Sequence, residues 1–243
     1  MRRREQILHS LGCRIVSGDL PPGTVLPKVE TVGVMEGVSR TVVREALKGL
    51  EARGMVASVP KGGTTVRPRS EWQWWNREVL GWAMETSDGP EFYRQLTEVR
   101  LGLEPMASAL AAQHSTPADH DAMRFAFERM ASALDDDVSW AQADYDFHRT
   151  LIEAAHNDLM TSLMSVLRDS LVQSRKATMA VLRKAEGQTS RQTVLGYHHQ
   201  VLATVIQHDI DGARAAMTEL LEAVERLALH TPPRPRGSHR RRP

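Results

Sequence analysis

Residues 38–56 read VSRTVVREALKGLEARGMV. Ser39 is a good helix N-cap, because its short side-chain oxygen can accept a hydrogen bond from a first-turn amide. After it, Val43, Ala46, Leu47 and Leu50 fall on one stripe at the period of an amphipathic helix. Gly54 closes that helix. Arg40, Arg44 and Lys48 sit at i, i+4 and i+8 on another face, with Thr41 beside them in the first turn. A helix of this diameter fits the major groove of B-DNA with its N-terminal residues nearest the base edges. Arginine there can take guanine O6 and N7 through two hydrogen bonds, and Ser39 and Thr41 can serve phosphates or bases. A solvated basic face has the same pattern, so the flanking sequence has to decide.

Upstream, residues 5–18 place apolar side chains at 7, 8, 11, 15 and 16, a helical spacing ended by Gly18. DLPPGTVLP, residues 19–27, is a turn punctuated by Pro and Gly. The short segment VETVGVME follows. Downstream, MVASV and TTV flank PKGG, which predicts a β-hairpin. Helix, helix, turn, helix, hairpin is the order of a winged helix-turn-helix. Lys61 and Gly62 at the hairpin tip are placed to reach the DNA backbone or minor groove, and this ordered set favours DNA binding over the solvated face. GDLPPGTVLP, VSRTVVREALKGLEARGMV and PKGGTTV resemble the winged-helix domain of GntR-type bacterial regulators over residues 10–67. The resemblance puts the family's DNA contacts on Ser39, Arg40, Arg44 and Gly62. It also implies a departure: near Glu30, where the FadR branch often has another contacting side chain, this chain carries an acid that repels phosphate.

Charge separates the same segments. Residues 1–70 hold 12 Lys/Arg against 6 Asp/Glu, while residues 71–228 hold 14 against 24. The tail, 229–243, adds five arginines and no acid, so the formal net charge of +1 conceals a basic head on an acidic body. A polyanion is therefore expected at the head. No apolar run approaches the roughly 20 residues that span a bilayer. The basic start MRRREQILHS lacks a signal-peptide apolar region. A single cysteine, Cys13, excludes an intramolecular disulfide framework and a cysteine-based zinc finger. The expectation is a cytoplasmic protein with no membrane partner.

The division expected is 1–70 winged helix-turn-helix, 71–88 Trp-rich linker or helix, 89–228 all-helical domain, and 229–243 disordered basic tail. Four of the five tryptophans lie within EWQWWNREVLGWAME, residues 71–85, and are expected at an interdomain contact. Beyond it, Ala/Leu/Met-rich periodicity predicts helices over 91–113, 117–133, 137–155, 158–184, 189–207 and 210–228. The fold class is mainly α, an N-terminal winged helix-turn-helix plus a C-terminal antiparallel all-α bundle.

Within ADYDFHRTLIEAAHND, Asp144 and His148 are one turn apart on the face shared by Ala141, Leu151, Ile152 and Ala155, so both point inward. A carboxylate and an imidazole so spaced can hold one metal ion. A buried hydrogen-bonded pair has the same spacing, and spacing alone favours it. In GYHHQVLATVIQ, His198 shares a face with Val201, Leu202 and Val205 and points to the core, with His199 one step round. Arg100 has Glu104 at i+4, which allows either an ion pair or a carboxylate-binding fork.

TEVRLGLEPMASALAAQHS, DYDFHRTLIEAAHN and HHQVLATVIQHDIDGARAAM resemble the ligand-binding FCD domain of the FadR subfamily, a helical bundle around a central cavity. The resemblance implies a divalent metal of the Zn, Ni or Mn class on Asp144, His148 and His198. The usual fourth ligand position falls on Leu220. It implies an effector carboxylate on Arg100, with Arg149 and Arg175 as weaker candidates. The Trp-rich segment is similar to members that respond to sugar acids such as galactonate. The function implied is a dimeric repressor of a catabolic operon on a palindromic double-stranded operator, released or recruited by a small carboxylate. A metal-free cavity for a fatty acyl or other organic acid stays open. So does, remotely, a metal-dependent hydrolase, for which no H-E-x-x-H motif is present.

Overall fold

The structure is a computed structural model that describes residues 3–59, 62–86, 90–185 and 188–229. Its helices are α1 Arg3–Val16, α2 Val29–Glu36, α3 Arg40–Glu51, α4 Arg77–Thr86, α5 Pro90–His114, α6 Pro117–Ser132, α7 Asp137–Glu153, α8 Asp158–Ala185, α9 Gln188–Ile206 and α10 Ile210–Leu229. Strands β1 Val56–Val59 and β2 Gly63–Val66 form one antiparallel hairpin, in register from Val56↔Val66 to Val59↔Gly63. Two compact units result. One runs to Leu96 and takes in Ser162–Ser170; the other comprises Thr97–Thr161 and the chain from Leu171 on.

In the first unit, Ser39 Oγ accepts the Val42 amide at 3.4 Å and starts α3 where the sequence predicts. Val43, Ala46, Leu47 and Leu50 bury against α1, whose Ile7, Leu8, Leu11 and Ile15 are buried in turn. After α3, Gly54 adopts φ +70°, and a Cβ there would meet Glu71 O at 2.3 Å, so only glycine fits the turn into β1. The Trp-rich stretch, expected as a linker or helix over 71–88, is largely helical. It forms a 3-10 turn, Arg69–Glu71, and then α4, which packs on α1. Trp82 lies so close over Gly12 that a Cβ on that glycine would stand 2.5 Å from the indole. Trp82 Nε1 donates to His9 Nδ1 at 3.1 Å, and Trp72 Nε1 donates to Arg67 O at 2.9 Å. The two buried indoles thus pack into the core of the first unit itself. Their N–H groups find partners only within that unit.

The second unit is helical throughout. α6 packs on α7, α9 on α10, and α6 also on α9. Its boundaries follow from caps. Thr116 and Asp119 form a reciprocal capping box with Pro117 in the first turn of α6. Asp136 accepts the Val138 amide at the start of α7, and Asn157 Oδ1 accepts the Leu159 and Met160 amides at the start of α8. Trp140, Phe147, Leu151, Ile152, Val201, Val205, Met217 and Leu220 build the core. Among the described residues no helix is long and apolar enough to cross a membrane. The expected wing-tip Lys61 and the tail from residue 230 lie outside the described residues.

Candidate functional site

Two groups of residues carry chemistry, one in each unit. On α3, Ser39, Arg40, Thr41, Arg44 and Lys48 are all exposed, as is Gly62 at the hairpin turn. The structure therefore brings the sequence-derived cationic stripe to the surface on one face, while the opposite stripe is buried. Not all of its charge is free. Arg40 lies 3.6 Å from Glu30, and Lys48 Nζ lies 3.0 Å from Glu45 Oε1. Arg44 has no ion-pair partner among the described residues, which leaves it the least compensated cation of α3. Ser39 spends its hydroxyl as the N-cap, so its contact to DNA competes with the cap.

The second group lies inside the helical unit. Asp144 and His148 of α7, His198 of α9 and Arg175 of α8 are each more than nine-tenths buried. His198 Nε2 lies 3.1 Å from Asp144 Oδ1 and 3.3 Å from His148 Nε2, and His148 Nε2 lies 3.8 Å from Asp144 Oδ2. Each imidazole is turned by its other nitrogen. His198 Nδ1 lies 2.8 Å from Val194 O, and His148 Nδ1 lies 2.6 Å from Glu104 Oε2. The carbonyl facing His198 Nδ1 places that ring's proton on Nδ1, so the His198 Nε2 lone pair points into the cluster beside a carboxylate. Burial, with His148 and the two arginines nearby, holds His198 well below the ordinary histidine range and keeps it neutral near pH 7. Burial alone would raise Glu104, but Arg100 and His148 hold its carboxyl well below the usual value, so it is ionised.

One ligand atom from each of Asp144, His148 and His198 lies within 4.8 Å of the other two, a grouping that suits one divalent ion. Bond lengths of about 2.0–2.1 Å to nitrogen and oxygen require edges of about 3.3 Å in a tetrahedral site. The donor set and the Nδ1 partners therefore fit the metal implied by the resemblance. Leu220, at the usual fourth position, lines the same cavity and supplies no donor. One competing cation is built in: Arg175 Nε pairs with Asp144 Oδ2.

The arginines come out in a different order from the sequence reading. Arg100 lines the cavity but is engaged with Glu104 through Nε at 2.7 Å and a terminal nitrogen at 3.4 Å. Arg175, the weaker candidate, has both terminal nitrogens buried and without a hydrogen-bond partner among the described residues. Arg149 is not brought to the cluster. It is half-exposed and binds Glu153 at 2.7 and 2.8 Å, one turn along its own helix. Its helix position points it away from the Asp144–His148 face, which is the physical reason it drops out. His199 is exposed beside Phe127. The cavity holds about 20 Å³ of free space, room for about one water. Residues the sequence reading missed are Glu104 as a partner of His148, and Ser174, Val194, Leu221 and Val224 as cavity lining. Only the i, i+4 relation of Glu104 to Arg100 was visible in the sequence.

The model of bacterial regulatory proteins of the gntR family matches residues 3–66, and that of the FCD domain matches residues 95–223. The chain belongs to the GntR family. This GntR-family protein is 30% identical over 224 residues to YieP, an HTH-type transcriptional regulator of Escherichia coli K12, covering 90% of this chain and 93% of that one. It is 27% identical over 229 residues to the galactonate operon transcriptional repressor of E. coli K12, covering 93% and 97%. The fold is similar to that of Lar, which controls expression of the Listeria monocytogenes agr system: the TM-score is 0.62 at 18% identity, over 94% and 97% of the chains. Both domains and these relatives are those of transcription regulators, not of enzymes, which removes the hydrolase alternative. The protein is a transcriptional regulator of the GntR type with an FCD domain, a class that acts on DNA.

Proposed function

We propose that this regulator is a repressor of a catabolic operon whose grip on DNA is set by a small carboxylate held inside the FCD bundle. The observation that carries the reading is Arg175, a buried guanidinium whose two terminal nitrogens have no hydrogen-bond partner among the described residues, beside Asp144, His148 and His198. Buried N–H groups left without acceptors cost stability, and an incoming carboxylate matches the open side of the guanidinium fork with two parallel hydrogen bonds. Two copies of the exposed α3 face, related by a twofold axis in a cytoplasmic homodimer, would match a palindromic operator. The similarity to the galactonate operon repressor supports sugar acids as one source of that carboxylate.

Asp144, His148 and His198 would hold a divalent ion of the Zn, Ni or Mn class. Such an ion supplies a Lewis-acidic anchor for a ligand oxygen. A metal-free cavity is the second reading, favoured by the Arg175–Asp144 pair, which already gives the carboxylate a cation. The free space of about 20 Å³ is far too small for a fatty acyl chain without repacking. The effector changes DNA affinity only to the extent that it binds one state more tightly. A gel-shift titration with the chain's own upstream DNA, with and without small carboxylates, tests the reading. Operator affinity that no carboxylate moves, in protein with and without added Zn, would refute it.

A further inference from the structure

We infer that Glu30 is a positioning residue for operator reading: from α2 it holds Arg40 at the head of α3 so that the open edge of the guanidinium meets one guanine. The inference rests on the reading of the exposed α3 face as the DNA contact, and it adds to that face a residue of the neighbouring helix.

Arg40 is the first residue of α3, so its cation stands at the positive end of that helix's dipole, where a cation is disfavoured. Glu30, in the first turn of α2, brings a carboxylate oxygen to 3.6 Å from Arg40 Nη1 and offsets that field. Among the described residues, Arg40 is the one cation of the α3 face whose partner comes from another helix. Lys48 takes Glu45 from its own helix, and Arg44 has no ion-pair partner. A pair within one helix holds a side chain along that helix, whereas a pair between helices sets where it points relative to both. The turn that joins α2 to α3 is close-fitting. The Val38 amide donates to Gly33 O at 2.9 Å, Gly37 takes φ +63°, and a Cβ on Gly33 would stand 3.0 Å from Val38 O. Glu30 lies one turn before Gly33, so its carboxylate is carried to the α3 N-terminus on a fixed support.

An exposed ion pair of this kind contributes little to stability, so its consequence is direction. Nη1 is drawn toward α2, and Arg40 makes no other hydrogen bond or ion pair among the described residues. One edge of the guanidinium, Nε with Nη2, is thereby left for a pair of acceptors. Guanine presents such a pair in the major groove, O6 and N7, whereas every other base offers at most one acceptor there. A long side chain that is already held has fewer rotamers to lose when DNA arrives, which sharpens the preference for the base its open edge meets. The carboxylate also opposes phosphate. It therefore keeps Arg40 off the sugar–phosphate backbone, where a contact would position the protein but carry no sequence information.

Selection of randomised duplex DNA on the full-length protein, with sequencing of the retained duplexes, reads the base preference at every operator position. Fluorescence anisotropy on a random duplex reads the affinity that is independent of sequence. Arg40→Ala is expected to abolish a guanine preference at one operator position. Glu30→Ala is expected to reduce that same preference at least threefold while raising affinity for random duplex. Glu30→Gln, which keeps the shape, should act in the same direction. Both side chains are exposed, so thermal melts should stay at the wild-type midpoint. In an Arg40→Ala background, Glu30→Ala should change no base preference. Glu30→Ala and Glu30→Gln that raise affinity for all sequences alike, with the guanine preference intact, overturn the positioning role and make Glu30 a repelling charge alone. A preference that Glu30→Ala alters equally without Arg40 overturns it too, as does an Arg40→Ala protein with every preference unchanged; both leave the α3 face standing as the DNA contact. Wild-type protein that enriches no sequence, with or without galactonate, overturns the operator reading and this inference with it.

Discussion

Arg175→Met tests the arginine on which the effector reading turns. Methionine keeps the length and apolar stem but removes the cation. In the protein without effector, the change takes from Asp144 its arginine partner and leaves it the imidazoles of His148 and His198. Removing one member of a buried pair typically costs about 3–5 kcal/mol. Part of that cost is offset here. The substitution also removes two buried nitrogens that have no partner, each costing about 1–3 kcal/mol. The net loss expected is about 1–2 kcal/mol, a fall in melting temperature of about 2–8 °C for a chain of this size. The effect on ligand is larger. Two charge-assisted hydrogen bonds at about 1.5–3 kcal/mol each sum to about 3–6 kcal/mol, a loss of carboxylate affinity of about two to four orders of magnitude. Arg175→Lys keeps the charge but not the fork, so it should restore stability while leaving affinity at least about tenfold down. Calorimetry with a binding carboxylate, paired with thermal melts, reads both quantities. Carboxylate affinity within threefold of wild type in Arg175→Met, with the fold intact, would show that the guanidinium does not hold the ligand.

Other expectations come from single residues. Arg44→Ala should weaken operator binding by about 1–3 kcal/mol and flatten its salt dependence, since Arg44 is the α3 cation with no ion-pair partner among the described residues; an unchanged gel-shift series refutes the role. His148→Ala should lower the metal content of gently purified protein measured by plasma emission, and a metal-free wild-type sample counts against the metal altogether. Burial first, and the Glu85 charge second, push the Cys13 thiol up to about 11 from 9.0. Its thiolate fraction at pH 8 is then about a hundredfold below that of an unperturbed thiol, so alkylation by iodoacetamide should be slower by the same factor and accelerate as pH rises toward 11. Rates equal to those of a model thiol at pH 8 would contradict this. Gly54→Ala should cost at least about 1–2 kcal/mol for the left-handed backbone alone, and more for the approach to Glu71 O, read as a lower midpoint in thermal melts.

Local chemistry made much of the fold legible. Ser39, the capping box at Thr116 and the cap at Asn157 mark helix starts through side-chain oxygens that reach amides two or three residues on, a relation confined to the local sequence. The buried stripe of α3 and the inward face of Asp144 and His148 follow from the 3.6-residue period. The packing of the Trp-rich stretch was not legible because the partner of Trp82, Gly12, is seventy residues away, and only packing pairs them. The surroundings of the arginines were not legible for the same reason. Arg100 shows its partner at i+4, while the Asp144 that receives Arg175 comes from another helix.

By itself, then, the chain's order of residues determined the winged helix-turn-helix, the helical body, the basic face of α3 and the three metal-ligand candidates, because each rests on contacts within a few residues or on a family motif. Only the tertiary structure decided that His148 Nδ1 lies against Glu104, that Arg175 has terminal nitrogens without a partner among the described residues, and that Leu220 and Val224 line the same cavity. Those facts depend on how α5, α7, α8, α9 and α10 meet in space, and no periodicity within one helix carries the position of another.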